Sequence, residues 1–303
     1  MLEPGNVREG DPVQVLPALP GSLAATHRLL DHLDAAERAH AVANWRAALA
    51  AGIDLRLIDD GDLAVAATPS VPDANFNMAV GLRALPHLIP DVLAHFRANG
   101  VVGWLDVAEP PWTEAAPERF GSVLAAEPSR VREPPRVPGL VIRSIARPVA
   151  SGHDPGPGQG RGMGPDPDVM LWQAVVVAGF EMDEVTGGAW VRTAPLLALD
   201  RRLHLLVAEI DGARVGGAGL FVHRGVGNLG PASVLPAFRG RGIHAALIAA
   251  RARLAEHLGC TVLATQAAFE GASERNQLRM GFERVWRRGV YRYDPADERS
   301  AEP

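Results

Sequence analysis

Between Val234 and Gly259 the chain reads VLPAFRGRGIHAALIAARARLAEHLG. An apolar run ends at Pro236, Arg-Gly-Arg-Gly follows at 239–242, and a long Ala/Leu-rich stretch opens behind it. Pro236 removes a ladder donor and so ends a strand. Gly240 and Gly242 let the main chain turn sharply and approach a ligand closely. The stretch behind them predicts a helix over 241–258, whose first turn offers unpaired N–H groups and about half a positive elementary charge. Such an end binds phosphate or diphosphate. Arg239 and Arg241 add positive charge able to reach outer phosphates.

The elements that position this junction follow from periodicity and turn signals. Residues 22–51 carry apolar positions at helical spacing up to Gly52, predicting one or two helices. Strands are expected at 53–58, 63–68 and 76–82, a helix at 86–100 and a buried strand at 101–107. The proline-rich stretch 110–139 reads as a linker. A strand at 140–146 opens a second half. SGHDPGPGQGRGMGPDPD (151–168) cannot form regular structure and is expected to be a mobile loop. Strands then fill 204–236, with turns at Asp211-Gly212 and near Gly225–Gly227. The helix at 241–258, a strand at 260–267, a helix at 273–280 and closing strands at 281–294 complete the chain. Both halves follow the order β-β-β-α-β, which suggests an ancient duplication.

The chain has 303 residues, 47% hydrophobic and 21% charged, enough apolar material for packed cores without metals or disulfides. Thirty basic residues stand against 35 acidic ones, a net charge of −5. A mildly acidic chain has no general pull on nucleic acid or an anionic membrane, so any anion must be held by a local device. Cys260 is the single cysteine, which fits a reducing compartment, and its apolar neighbours make it inert core. MLEPGNVREGDP lacks the basic and apolar segments of a secretion signal, and no apolar run approaches a bilayer span. The expectation is a cytoplasmic protein.

The segment VLPAFRGRGIHAALIAARARLAEHLGC…FEGASERNQLRMGF resembles the acetyl-CoA-binding core of the GNAT N-acetyltransferase superfamily. Val234, Pro236, Arg239 and Gly242 fall on its pattern, and Gly281-Phe282 supplies the later landmark. The resemblance implies two GNAT-like modules in an α/β fold, each a mixed, mostly antiparallel sheet flanked by helices. Residues 1–136 would be a degenerate module without a coenzyme A site, 137–296 the catalytic module and 297–303 a disordered tail. The resemblance also implies acetyl-CoA as cosubstrate, with no metal. Its diphosphate would lie on the amides of Arg239, Gly240, Arg241, Gly242, Ile243, His244 and Ala245. Its pantetheine arm would pair with Ala232, Ser233 and Val234 as an added strand.

Two positions depart from the family pattern. His244 stands where the pattern ends in Gly or Ala, and is expected to point outward into solvent. Gln277 stands where many relatives place a tyrosine near the sulfur, leaving Ser273 and Asn276 as the polar groups facing coenzyme A. Asn276 can donate a hydrogen bond but cannot release a proton near neutral pH.

Acetyl transfer needs a proton acceptor for the amine, a donor aimed at the developing oxyanion and the two reactants held together. The expected oxyanion donor is a backbone N–H in a bulged strand near Val234–Leu235. The candidate bases are Glu209 in LLVAEI, His223 in LFVHRG and Glu270 after CTVLATQAAF. Tyr291 and Tyr293 are expected to pack the last strands. In the first half, RALPHLIPDV has no Arg-x-x-Gly turn, so that half is expected to wall the acceptor cleft, with Asn75, Asn77 and His87 as polar groups able to face it. The function expected is acetyl transfer to an amine of a small molecule in a ternary complex. A protein N-terminus or lysine, a non-catalytic acyl-CoA sensor and a glycine-rich nucleotide binder are the alternatives. A homodimer is left open.

Overall fold

The computed structural model describes residues 27–108, 117–145 and 166–299. Much of the glycine/proline stretch 151–168, the start of the proline-rich stretch and the end of the expected tail lie outside them.

Helix α1 (His27–Ala50) buries Leu30, Leu33 and Ala36 at helical spacing. A tight turn at Gly61 (φ 59°) joins β1 (Arg56–Asp60) to β2 (Leu63–Ala67). Then come β3 (Met78–Val80), α2 (Ile89–Asn99) and β4 (Gly103–Ala108). Gly100 ends α2 in the left-handed conformation at φ 63°, the helix stop that its position announced. The expected linker instead contains β5 (Arg119–Ala126), six of whose residues are buried.

After β6 (Leu140–Ser144), two helices appear that the sequence pattern did not announce: α3 (Pro167–Phe180) and α4 (Glu184–Leu197). The run Val175-Val176-Val177 is apolar all round and β-branched, so it carries no helical stripe. Both helices are capped by an aspartate. Asp166 accepts from the Asp168 and Val169 amides, and Asp183 from those of Val185 and Thr186. The chain continues through β7 (Leu203–Ile210), β8 (Ala213–His223), β9 (Val226–Val234), α5 (Ile243–His257), β10 (Val262–Ala268), α6 (Ala272–Arg279) and β11 (Glu283–Tyr293). Helix α7 (Pro295–Arg299) takes in the first three residues of the expected tail.

The eleven strands among the described residues form one sheet, in the order β1-β2-β3-β4-β11-β5-β10-β9-β8-β7-β6. Each half sends its last strand into the other. β5 pairs with β10, and β11 pairs with both β4 and β5. A cut at 136/137 therefore divides the chain but not the sheet. Strand alternation assigns the helices to opposite faces. Phe221 packs with α1, α3 and α4, while its neighbour Leu220 packs with α5. On the first half, α2 covers β2 and β4 and is closed by Tyr291 and Tyr293, which pack there as expected. Cys260 lies in the α5 core.

Candidate active site

β9 and β10 run parallel but pair over three residues only, Val226–Asn228 against Val262–Ala264. β9 then bulges. Its ladder with β8 steps from Leu220↔Leu229 to Ala218↔Ala232, leaving Gly230 and Pro231 opposite Gly219. Pro231 carries no N–H, so no ladder donor is stranded there. The strands part beyond this point and a wedge opens through the sheet. Buried Arg251 of α5 holds the bulge from one side, donating to Gly219 O at 3.3 Å and Gly230 O at 3.2 Å. Burial lowers its pKa to about 9.

The wedge belongs to a cavity of about 920 Å³. At its mouth stands the N-terminus of α5. Gly240 and Gly242 have φ of 78° and 83°, the left-handed region that favours glycine. The first helical bond runs from the Ala246 amide to Gly242 O, so the amides of Ile243, His244 and Ala245 have no partner within the helix. This mouth and the unpaired edge of β9 fit a diphosphate joined to an extended arm.

The side chains near the mouth differ from expectation. Arg239 turns toward α3, donating to Gly179 O at 2.7 Å and pairing with Glu181 at 2.9 Å. Arg241 lies over the Phe238 ring at 5.0 Å and donates to Ala237 O. His244 is not solvated. It is half-buried and lines the cavity, its Nδ1 accepting from Asn276 Nδ2 at 3.2 Å. Burial and the nearby Arg251 charge lower its pKa to about 4. Ser233 is turned away, its hydroxyl donating to Val176 O of α3, and Val234 is core. Ala232 and Ser273 line the cavity. Gln277 donates to Thr265 Oγ1 at 3.1 Å and Ser273 Oγ at 3.3 Å, while its buried Oε1 has no partner. The bulge sits at 230–231 rather than 234–235. The Leu235 amide is already committed to Val215 O at 2.9 Å, which removes it as the expected oxyanion donor.

None of the three candidate bases lines this cavity. Glu209 is bound by Arg143 at 3.1 Å and Arg214 at 3.5 Å, in a network with Asp168 at the β6–β7 edge. His223 closes β8, where burial and then the Arg224 charge lower its pKa. Glu270 occupies a left-handed turn position (φ 55°) ahead of α6, and its amide donates to Glu274. Glu274 itself is buried, bonded to Ser122 and, at 2.7 Å, to Arg284.

The opposite wall comes from the first half. Of its three named residues, Asn75 lines the cavity, and its carbonyl accepts from Trp45 Nε1. Asn77 is buried and consumed by Thr68 N and Val71 O, while His87 is exposed. The residues that the spacing did not reveal are Glu37 and His40 of α1, Asp106 of β4 and Arg288 of β11. Arg288 reaches Glu37 and Asp106, both at 3.0 Å. Burial and the Glu37 charge raise the Asp106 pKa against the Arg288 charge. His40 is held by Asn228, 188 residues away in sequence, and no local pattern could have announced that pair.

The first half has a wedge of its own, where β3 pairs in parallel with β4 over two residues. It is filled. Arg83 lies there over the Trp286 ring, bonded to Asp31 and Asp34, and leaves a space of about 30 Å³. Burial raises the Asp34 pKa to about 6. Among the described residues no group of three or more His, Cys, Asp or Glu is arranged to hold a metal ion, and no helix is long and apolar enough to cross a membrane.

Comparison with known proteins agrees with this geometry. Residues 177–282 match the acetyltransferase (GNAT) family. None of the curated proteins matches the chain. Among solved structures, a GCN5-related N-acetyltransferase from Kribbella flavida aligns at TM-score 0.56 and 15% identity, over 85% of this chain and 95% of that one. A GCN5-related N-acetyltransferase from Sphaerobacter thermophilus aligns at 0.51 and 17%, over 86% and 93%. A tandem GNAT protein from the clavulanic acid biosynthesis pathway aligns at 0.51 and 13%, over 90% and 97%. At these identities the likeness to solved structures is one of fold. The chain thus has the fold of these N-acetyltransferases, and its residues 177–282 match the acetyltransferase (GNAT) family.

Proposed function

We propose that the protein transfers the acetyl group of acetyl-CoA to an amine of a small molecule, by direct attack within a ternary complex. The observation that carries this reading is the wedge between β9 and β10 with the open N-terminus of α5 at its mouth. The loop amides from Gly240 to Ala245 would hold the diphosphate, that of Arg239 being bonded to Pro236 O at 3.2 Å. The free edge of β9 would pair with the pantetheine arm. Each charge-assisted hydrogen bond to the diphosphate is worth about 1.5–3 kcal/mol, so a few suffice on a net acidic protein.

An amine acceptor is supported by the far wall of the cavity. Glu37, Asp73 and Asp106 stand there, and Glu181 and Asp183 line the cavity from the second half, against Arg119, Arg251 and Arg288. A cation or a neutral amine with a second positive group is favoured in such a field. Direct attack is supported by the place of Cys260, the single thiol, in the core rather than the cavity. A second reading, acyl-CoA binding without turnover, is favoured by Gln277, whose amide cannot protonate a leaving thiolate.

The test pairs calorimetry with turnover. Acetyl-CoA should bind, and coenzyme A should be released when spermidine, tyramine or kanamycin is added as acceptor. Binding without release from a broad amine panel would favour the sensor, and no binding would end both readings.

A further inference from the structure

His40 belongs to the N-terminal half, yet it touches the bulge of the C-terminal module. A Cβ placed on Gly230 would lie 2.9 Å from His40 Cε1 and 3.5 Å from Nε2. The imidazole therefore stands where a side chain on residue 230 would be, and only glycine leaves room for it. The ring is fixed twice. It stacks on Phe221, with centroids 4.7 Å apart and planes 13° apart. Its Nδ1 lies 3.2 Å from Asn228 Nδ2, which can only donate. With the Asn228 amide in this orientation, which leaves its Oδ1 buried without a partner, Nδ1 accepts and the proton of the neutral ring sits on Nε2. Burial holds the ring neutral, its pKa lowered to about 4. Asp200 and Arg202 are the charges that face it, and Glu37 lies one turn back on α1. His40 lines the cavity.

This neutral donor meets a local shortage. A strand bulge beside a thioester would ordinarily offer backbone N–H groups, but here residue 231 is proline and the Leu235 amide is bonded to Val215. An arm laid along β9 from the mouth of α5 passes Val234 and reaches Gly230 after four residues, about 13 Å at strand rise. β9 and β10 close at Asn228 and Ala264, so the arm ends beside the bulge.

We propose that His40 Nε2–H donates a hydrogen bond to the carbonyl oxygen of the bound thioester, so that helix α1 of the first module completes the reaction centre of the second. This rests on the acetyl-CoA reading above. In the step served, the lone pair of the neutral amine forms a bond to the carbonyl carbon, and the carbonyl π electrons move onto oxygen, where Nε2–H stabilises them. The oxygen electrons then return, the C–S bond breaks and its electron pair leaves on sulfur. The proton lost by the amine nitrogen balances the sulfur through solvent, giving the amide and coenzyme A. His40 keeps its own proton throughout.

The test reads the carbonyl directly and needs no acceptor. The probe is the ketone analogue of acetyl-CoA in which a methylene replaces the thioester sulfur, enriched with carbon-13 at the carbonyl. Its C=O stretching band should move to lower wavenumber on binding the wild type. It should return to the solution position in His40→Phe, which keeps a stacked ring without a donor, and shift again in His40→Gln, which restores an N–H. Hydroxylamine as the attacking amine should show kcat reduced on the order of 10²–10³-fold in His40→Phe, the loss found when one oxyanion donor is removed. Calorimetric affinity for acetyl-CoA should fall by no more than about tenfold, less than the fall in kcat. An unshifted band in the wild-type complex overturns the proposal without any variant, and is the result expected if Nε2 is an acceptor. A shift retained in His40→Phe overturns it equally. Failure of the wild type to bind acetyl-CoA at all overturns the cosubstrate reading itself.

Discussion

Arg288 Nη1 lies 3.0 Å from Glu37 Oε1, although 251 residues separate the two. The same guanidinium reaches Asp106 at 3.0 Å, so one arginine on the last long strand ties the first helix to a strand of the first half. All three side chains are largely buried. Two carboxylates share one cation, and burial is the main force raising the Asp106 pKa.

Arg288→Met should therefore strand both acids rather than merely remove a contact. Breaking one partner of a buried ion pair costs about 3–5 kcal/mol. Urea unfolding should show that loss in a single transition, because β11 and β5 interleave the two halves. Two separate transitions in the wild type would contradict the shared sheet as a cooperative unit.

Gly242→Val tests the helix mouth. Gly242 sits at φ 83°, and a Cβ there would come within 3.4 Å of Val137. A left-handed β-branched residue costs about 1–2 kcal/mol, and the loop will relax by moving its amides. Acetyl-CoA affinity, measured by calorimetry, should fall by about tenfold or more, since each 1.4 kcal/mol is a factor of ten. An unchanged dissociation constant would remove the loop from the binding site.

Glu209→Gln, His223→Gln and Glu270→Gln should each leave coenzyme A release within about twofold of wild type, because surface changes away from the site act weakly. Glu209→Gln should instead lower the melting temperature, through its bonds to Arg143 and Arg214. A large fall in kcat for any one of them would return that residue to the chemistry.

Acid should destabilise the fold through its buried histidines. His40 and His244 have pKa values lowered to about 4, chiefly by burial, against an ordinary 6.5. Between these values the unfolded chain binds more protons, so stability is full above pH 6.5 and falls as pH drops toward 4. Each shift corresponds to at most about 3 kcal/mol. Asp34, raised to about 6, acts the other way, losing stability as pH rises from about 4 to 6. Comparing urea midpoints at pH 7 and pH 5, His40→Gln should lose less stability than wild type. Equal losses would show that the ring is not held neutral.

The structural role of residues 239–242 was legible because it is a local property. Two glycines, a preceding proline and a helix-forming stretch decide backbone angles and exposed amides within a few residues. The helix stop at Gly100 and the turn at Gly61 were legible for the same reason. Helix α3 was not legible, because the Val175–Val177 run is apolar on every side and erases the helical period.

By itself, then, the sequence determined where the chain turns, where a helix mouth opens and which family pattern surrounds it. The tertiary structure alone decided which side chains face the cavity. His40 meets Gly230, Glu37 meets Arg288 and Asp106 closes the far wall through strand exchange and the crossing of α1. Glu209, His223 and Glu270 had suitable chemistry but lie outside it. A side chain's type is written in the chain, whereas its partners are chosen by packing between segments hundreds of residues apart, and no local spacing encodes that choice.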